Sequence, residues 1–326
     1  MKITNTSALS ILIAGILCGV AIQQSHAKKR GGGGGDEADG SLKKGIELMD
    51  AKHFDQAAEE FGKAIAVAPK DARIYHNRGL AYLAGAQAAE AARDVDAATT
   101  RYASAVTDFS KEIELAPKEE VGYLARGQTQ VMQKQYDAGI ADLNKALELK
   151  PDDGLAMKFR GFAEIGISQW DKAVTDFTAA IQKDPNDPQN YDRRAWAYRN
   201  LKNYDAAIAD YTAVLAKNAN DADTLAKRGY TYSLMQQYEK AIPDYEQALK
   251  LNPNDTDTPQ RLQYARGMLA AANAPQATPT PTPESGPGLV TPVNVIIAVA
   301  VLIIVAVIVR MVTRGKPETT SSSRIR

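Results

Sequence analysis

Apolar residues between positions 38 and 255 recur at helical spacing, and the same small, aromatic and proline residues return at regular intervals. Each copy of the pattern carries a glycine or an alanine in its first half, and the copies follow one another with a constant period, except for one longer interval between Gly79 and Gly127. Small residues let two helices pack closely, and a proline ends the second helix of most copies because it has no N–H to donate. The pattern predicts six antiparallel helix pairs that stack, since one pair cannot bury its apolar faces alone. The small residues are Gly45, Gly79, Gly127, Gly161, Ala195 and Gly229.

Aromatic residues mark the second half of every copy. One stands in each predicted second helix, three positions before a small residue, and another large apolar residue follows seven positions later. This spacing places both on one face, where they fill the space between the two helices. The first set is Phe54, Tyr102, Tyr136, Trp170, Tyr204 and Tyr238, and the second is Phe61, Phe109, Leu143, Phe177, Tyr211 and Tyr245.

This arrangement resembles the tetratricopeptide repeat, whose pattern combines a 34-residue period, glycine and tyrosine in the first helix, alanine and an aromatic residue in the second, and a final proline. The resemblance covers about two-thirds of the chain. It implies an all-α, right-handed superhelical solenoid of six helical hairpins and a C-terminal capping helix, within residues 38–273. The expected units are residues 38–71, 72–119, 120–153, 154–187, 188–221 and 222–255, followed by the capping helix at 256–272.

The second copy is 14 residues longer than the others, and the added stretch is rich in alanine and free of proline. Such a composition favours continued helix. Seven extra residues on each arm keep the facing sides in register, so we expect an elongated hairpin that turns near Asp94 to Asp96. The sequence leaves open whether this extension is an added docking surface or packs passively on its neighbour.

Opposite charges recur at two fixed places in the copies. In copies two to six an arginine precedes the small residue of the first helix, and an aspartate precedes the large apolar residue of the second helix. In the first copy both change together, to Lys44 and Glu60. We therefore expect a ladder of bridges, either within hairpins or between neighbours. The pairs are Arg78 with Asp108, Arg126 with Asp142, Arg160 with Asp176, Arg194 with Asp210, and Arg228 with Asp244.

The resemblance also implies a concave binding groove lined by the first helices. Phe162, Trp196 and Tyr230 hold equivalent places in three consecutive copies and suit a peptide with apolar anchors. Aromatic residues at helical spacing are also typical of buried packing, and this alternative stays open. A clamp for chaperone tails is not expected, because Phe162 stands where asparagine is needed beside Lys158. The expected lining is Arg73, His76, Leu80, Val121, Leu124, Gln128, Leu155, Lys158, Phe162, Ile165, Gln189, Asp192, Trp196, Arg199 and Tyr230.

The N-terminus has the parts of a secretory signal peptide, residues 1–27: a basic start, the apolar run from Ala8 to Ile22, and a small residue at the predicted cleavage site. Residues 28–37 contain five consecutive glycines and are expected to form a flexible linker. The basic residues at 28–30 disfavour translocation, so retention of the segment stays open.

The apolar run from Val293 to Val309 predicts a transmembrane helix at residues 292–313. Residues 274–291 are rich in proline and threonine and favour an extended linker. Basic residues concentrate in the tail, residues 314–326, and none occurs in the preceding linker. The positive-inside rule therefore predicts a cytoplasmic tail and extracytoplasmic repeats, in the periplasm or its equivalent.

The charge balance of 39 basic and 39 acidic residues lacks the excess that is typical of nucleic-acid binders. The one cysteine, Cys18, lies in the signal segment, and the three histidines have no metal-ligand spacing. No enzymatic activity, cofactor, metal, nucleic acid or small-molecule substrate is therefore predicted. The favoured hypothesis is a membrane-anchored adaptor or scaffold that binds a protein or peptide. The alternative is a structural subunit of an envelope or secretion assembly.

Overall fold

The part of the chain that the structure describes is helical. The computed structural model describes residues 33–274, 300–306 and 310, and no residue of these ranges lies in a strand, which confirms the all-α prediction. The chain divides into two compact units, Met1–Ala272 and Asn273–Arg326, and the repeats belong to the first. The helices of residues 33–274 are α1 Gly33–Asp50, α2 Phe54–Val67, α3 Ala72–Ala91, α4 Val95–Leu115, α5 Glu120–Met132, α6 Tyr136–Leu149, α7 Gly154–Gly166, α8 Trp170–Lys183, α9 Pro188–Asn200, α10 Tyr204–Lys217, α11 Ala222–Leu234, α12 Tyr238–Leu251 and α13 Thr258–Asn273.

Consecutive helices pair as six hairpins, from α1–α2 to α11–α12, and each hairpin has the same turn. In the first turn, the N–H of Lys52 donates to the oxygen of Met49 and the N–H of His53 to that of Leu48, at 2.9 and 2.8 Å. These bonds pair the last carbonyls of the first helix and require one left-handed residue. That residue has a φ of 60–62° and is Lys52, Arg93, Lys134, Ser168, Lys202 or Gln236.

The core of each hairpin lies where the large residue of the second helix meets the small residue of the first. At Gly79 a Cβ atom would stand 2.6 Å from the ring of Phe109, closer than carbon atoms pack, so this approach depends on glycine. In the fifth hairpin Ala195 and Tyr211 are both fully buried. Burial of each such side chain contributes about 2–3 kcal/mol. The fully buried large residues are Phe61, Phe109, Leu143, Phe177, Tyr211 and Tyr245.

The first helices lie closer together along the stack than the second helices do. Each of α1, α3, α5 and α7 contacts the next first helix, whereas second helices of residues 33–274 make no comparable contact with one another. The solvent-facing side of α3, α5, α7, α9 and α11 is called the first-helix surface below.

The second hairpin is elongated as predicted. Helices α3 and α4 have 20 and 21 residues, compared with 13 and 14 in α5 and α6. Each arm is therefore seven residues longer, or about two turns. The turn lies close to its predicted position because the carboxylate of Asp94 accepts a hydrogen bond from the N–H of Ala97 and caps α4.

Helix α13 caps the sixth hairpin. Leu262 and Ala265 are buried against Tyr238 and Tyr245 of α12. The carboxylate of Asp255 accepts bonds at the start of α13. The helix occupies Thr258–Asn273, close to the range of 256–272 that the sequence predicts.

Helix α1 begins at Gly33, inside the segment 28–37 that was predicted as a flexible linker, so that prediction is wrong for residues 33–37. A glycine within a helix costs about 1 kcal/mol relative to alanine. Asp36 in the first turn interacts favourably with the helix dipole, and the packing of α1 on α2 buries Ala38. These contributions act against the cost. Residues 28–32 lie outside the described residues.

The remaining predicted segments fall largely outside the described residues. These are the signal peptide at 1–27, the linker at 274–291 except for its first residue, and the tail at 314–326. Of the predicted transmembrane segment at 292–313, residues 300–306 and 310 are described, and they are helical. Among the helices that the structure describes, none has both the length and the apolar character required to cross a bilayer.

Candidate functional site

An arginine of the first helix forms a double hydrogen bond with an aspartate of the second helix in hairpins two to six. In the fifth hairpin, Arg194 Nε and Nη2 donate to Asp210 Oδ2 and Oδ1 at 2.9 and 2.7 Å. The Asp210 side chain is 7% exposed. Its paired hydrogen bonds raise the pKa of Arg194. These bridges lie within hairpins, one of the two arrangements that the sequence left open, and are called the arginine–aspartate ladder. The pairs are Arg78–Asp108, Arg126–Asp142, Arg160–Asp176, Arg194–Asp210 and Arg228–Asp244.

In hairpins three to six the remaining terminal nitrogen of the ladder arginine reaches the preceding hairpin. Arg194 Nη1 donates to Thr178 Oγ1 of α8 at 3.0 Å, so one guanidinium joins three helices and links two units. The equivalent position opposite Arg78 is Gly62, which has no side chain to accept a bond. The other acceptors are Ser110, Asn144 and Thr212, at 3.0, 2.7 and 3.2 Å from Arg126, Arg160 and Arg228.

Rings and a guanidinium alternate on the first-helix surface of α7 and α9. Arg193 Cζ lies 5.5 Å from the ring centre of Phe162 and 5.9 Å from that of Trp196. Phe162 also meets Phe177 edge-on at 5.4 Å, and Trp196 meets Trp170 at 5.8 Å. Phe162 and Trp196 are nevertheless only half-buried. Each residue therefore both packs against the core and remains partly open to solvent.

Tyr230 of α11 repeats this arrangement one unit further along. Arg199 Cζ of α9 lies 5.2 Å from its ring centre, and Arg261 Cζ of α13 lies 4.8 Å from it. Cation–π contacts at partly exposed sites contribute about 0.5–1 kcal/mol each. They position the guanidinium groups on the ring without neutralising their charge.

Charged residues of the expected lining form bridges between successive units. Lys158 Nζ lies 2.6 Å from Asp187 Oδ2, beside the start of α9. Asp192 accepts a hydrogen bond from Lys227 Nζ at 2.6 Å, and Lys227 also bridges to Asp223 at 2.7 Å. Burial lowers the pKa of Lys227, but the two carboxylates outweigh that effect and raise it. Lys158 and Asp192 therefore join neighbouring units.

The charged lining residues of hairpin two are held by contacts with other repeat residues. Arg73 Nη2 lies 2.6 Å from Asp71 Oδ2 at the cap of α3. His76 Nδ1 lies 2.9 Å from Glu112 Oε2, which is buried. These residues stabilise the hairpin whatever binds beside them.

The expected lining residues differ in exposure. Helical register predicts which face of the helix a residue lies on, but not how deeply its side chain is buried. Gln128 and Ile165 are only 6% and 7% exposed, so their placement on an open surface is corrected. Ile165 packs with Phe177 and Ala197 in the core. Leu155 is 44% exposed. The half-buried members are Leu80, Val121, Leu124 and Gln189.

Four residues of this region were not predicted, although the repeat period signals them. Arg193, Lys227 and Arg261 follow one another by one repeat period each, which places one cation at the same register position of α9, α11 and α13. Tyr264 follows Tyr230 by the same interval, is 59% exposed, and extends the aromatic row into α13. A search for like side chains at the repeat period finds all four.

A buried carboxyl group lies beside the ladder. Glu164 occupies the place of the family tyrosine, is 5% exposed, and its Oε2 has no hydrogen-bond partner among the described residues. Burial, and after it the charge of Asp176, raise the pKa of Glu164 to about 7, while Arg160 and Lys172 act in the opposite direction. Arg160 is already paired with Asp176, so one arginine faces two carboxyl groups.

The extension of hairpin two packs on both of its neighbours. Arg101 Nη2 donates to Asp55 of hairpin one at 2.9 Å, and Gln87 Nε2 donates to Met132 Sδ of hairpin three at 3.5 Å. The tip is open to solvent, where Val95 is 70% exposed. These contacts favour the packed extension over a separate docking surface.

A stack of helical hairpins whose first helices present aromatic and charged side chains defines a repeat protein of the protein-interaction class. The chain belongs to the tetratricopeptide repeat family, because two sequence profiles of the tetratricopeptide repeat match it. One matches residues 222–255, and the other matches residues 42–106, 124–188 and 161–227. Proteins of this family generally mediate protein–protein interactions. No curated protein matches the chain in sequence.

Solved structures of low sequence identity share the fold. The Cut9–Hcn1 hetero-tetramer of APC/C matches with a TM-score of 0.55 and 19% identity, over 71% of this chain but only 43% of that one. YrrB, described as a TPR protein with an unusual peptide-binding site, matches with a TM-score of 0.51 and 21% sequence identity, over 64% of this chain and 99% of YrrB. Pseudomonas aeruginosa pilF matches with a TM-score of 0.55 and 15% sequence identity, over 72% of this chain and 99% of pilF. At these identities the likeness shows the fold alone.

Proposed function

We propose that the chain is a membrane-anchored adaptor that binds an extended peptide, or an extended segment of a protein, along its first-helix surface. The half-buried row of Phe162, Trp196 and Tyr230, which remains partly open to solvent, carries the proposal. Aromatic side chains that packing already holds lose little conformational freedom on binding, and they dominate many interfaces. One ring per unit favours an extended ligand. The peptide-binding site that the description of YrrB mentions supports this class of ligand.

Membrane anchoring is the part of the proposal that rests on residues 292–313. The side chains of Val301 to Val305 are 51–68% exposed, and a bilayer would cover such apolar surface. The basic residues of the tail support a cytoplasmic C-terminus and repeats on the other side of the membrane. The full chain should remain in the membrane pellet after alkaline extraction. Its release into the supernatant would exclude anchoring.

Selection of random peptides against the purified full chain tests the binding role. We expect enriched peptides with apolar residues, and a loss of affinity of about 100-fold when Phe162→Ala and Trp196→Ala are combined. Leu149→Ala with Leu251→Ala is the matched control, since both leucines are 37% exposed on second helices. Absence of enriched peptides, or equal binding by the two double variants, would exclude the proposal.

A further inference from the structure

Three arginines, two on α9 of the first-helix surface and one on the adjacent capping helix α13, differ from those of the ladder in their pairing. Arg193, Arg199 and Arg261 all lie against ring faces, at 5.5, 5.2 and 4.8 Å from a ring centre. Arg199 has no carboxylate within salt-bridge distance among the described residues. Arg193 Nε stands 3.8 Å from Asp192 Oδ2, too far for a hydrogen bond. These guanidinium groups are held in place with N–H groups still available for a ligand.

The nearby acids do not neutralise this cluster. Asp192 is bound by Lys227 at 2.6 Å, and Asp223 by the same lysine at 2.7 Å. Arg261 reaches only Asp257, at 3.4 Å, and that side chain is 73% exposed. Exposed pairs of this kind contribute little and exchange readily with other partners.

We propose that Arg193, Arg199 and Arg261 bind carboxylate side chains of an acidic peptide, whose apolar residues contact Phe162, Trp196 and Tyr230. The inference rests on the proposed function and names the class of its partner. A guanidinium stacked on a ring still presents a planar edge, and a carboxylate can accept two parallel bonds from it. The charge of the surface and the chemistry of the ligand are therefore complementary.

The spacing of the cluster favours a peptide over a single small anion. Arg193 and Arg261 hold the same register position two units apart, with Tyr230 between them. A ligand that reaches both must extend along the stack and carry carboxylates at intervals, with apolar groups between them. An extended peptide of mixed acidic and apolar residues has this chemistry.

The test is selection of random short peptides against three forms of the full chain. The natural chain should enrich aspartate and glutamate together with apolar residues. Arg193→Gln, Arg199→Gln and Arg261→Gln combined should abolish the acidic enrichment but keep the apolar one. The control combines Arg93→Gln, Arg101→Gln and Arg266→Gln, which removes the same charge from outside the cluster and should keep both enrichments.

Measuring the binding of one selected acidic peptide to each variant then gives the contribution of each arginine to the affinity. Its affinity should fall about tenfold for each arginine removed from the cluster. Replacement of its acids by the matching amides should have the same effect on the natural chain. Apolar enrichment without acidic residues, or acidic enrichment that survives in the cluster variant, would overturn the inference and leave the proposed function standing. Absence of any enriched peptide would remove both.

Discussion

Arg193 and Arg194 are neighbours in α9, and each guanidinium lies 5.5–5.9 Å from the centres of two rings, but they differ in their carboxylate partners. Arg194 donates two bonds to the buried Asp210 and a third to Thr178 of the preceding unit, so all three of its nitrogen atoms bind groups of the repeat array itself. Arg193 lies between two rings and has no acid within hydrogen-bond distance. One turn of helix thus presents the same side chain to the ladder and to the first-helix surface. The presence of a buried carboxylate decides whether arginine stabilises the fold or remains available to a ligand.

The largest expected effect separates these two neighbours. Arg194→Gln leaves Asp210 buried without its cation and should lower the free energy of unfolding by about 3–5 kcal/mol. Arg193→Gln removes only two partly exposed cation–π contacts and should lower it by about 1–2 kcal/mol. Urea unfolding followed by circular dichroism measures both. Similar losses for the two variants would contradict the division of the arginines into two regions.

A second prediction concerns the acid that lies beside the ladder without an arginine of its own. The pKa of Glu164 is about 7 in the folded chain, against an ordinary value of 4.5. The folded state therefore binds more protons between these values, and the contribution of Glu164 to stability falls as pH rises through this range. The full difference corresponds to about 3 kcal/mol.

Glu164→Gln removes this pH dependence. The variant should be more stable than the natural chain by up to about 3 kcal/mol at about pH 8, and the two should converge at about pH 4. Unfolding free energies at the two pH values measure the effect. Glu148→Gln, which changes a carboxylate with 65% of its side chain exposed, is the control and should not separate from the natural chain in this way. A constant difference at both pH values would show that Glu164 does not titrate in this range.

The sequence predicts features that are marked by the same residue type at the same place in each copy. It does not predict a contact that depends on which residues become neighbours in the folded chain. The longer interval between Gly79 and Gly127 was sufficient to predict two added turns on each arm of the second hairpin, because helix geometry converts length into register. Lys44 and Glu60 reveal the ladder because both members change together. The helical start at Gly33 was missed, since local composition favours coil there while packing on α2 favours helix.

The first-helix surface could be predicted only in part, because some of its features recur at the repeat period and others do not. Its aromatic row repeats in kind, at Phe162, Trp196 and Tyr230, and could be found by its period. The pairing of Asp192 with Lys227 joins different units and has no local signal, so the sequence could not show which cations remain unpaired. The sequence also could not predict how deeply each lining residue is buried, as the burial of Gln128 shows.

The smallest expected effect comes from completing the ladder at its one missing acceptor. A Cβ atom at Gly62 would have Arg78 Nη1 as its nearest neighbour, at 3.8 Å, which is an ordinary contact. Gly62→Ser should supply the hydroxyl that Ser110 supplies to Arg126. The gain should be about 1–2 kcal/mol, from the hydrogen bond and from the higher helix propensity of serine.

Gly40→Ser in α1 is the matched control, because a Cβ atom there would meet nothing within 4 Å. It should gain only the propensity difference of about 0.5 kcal/mol. Gains measured by urea unfolding that are equal at the two sites would show that the third bond adds nothing. A larger gain at Gly62 that disappears when Arg78→Gln is added would show that the bond between hairpins acts through the ladder arginine. It would also show that these arginines stabilise the junctions between units as well as the hairpins themselves.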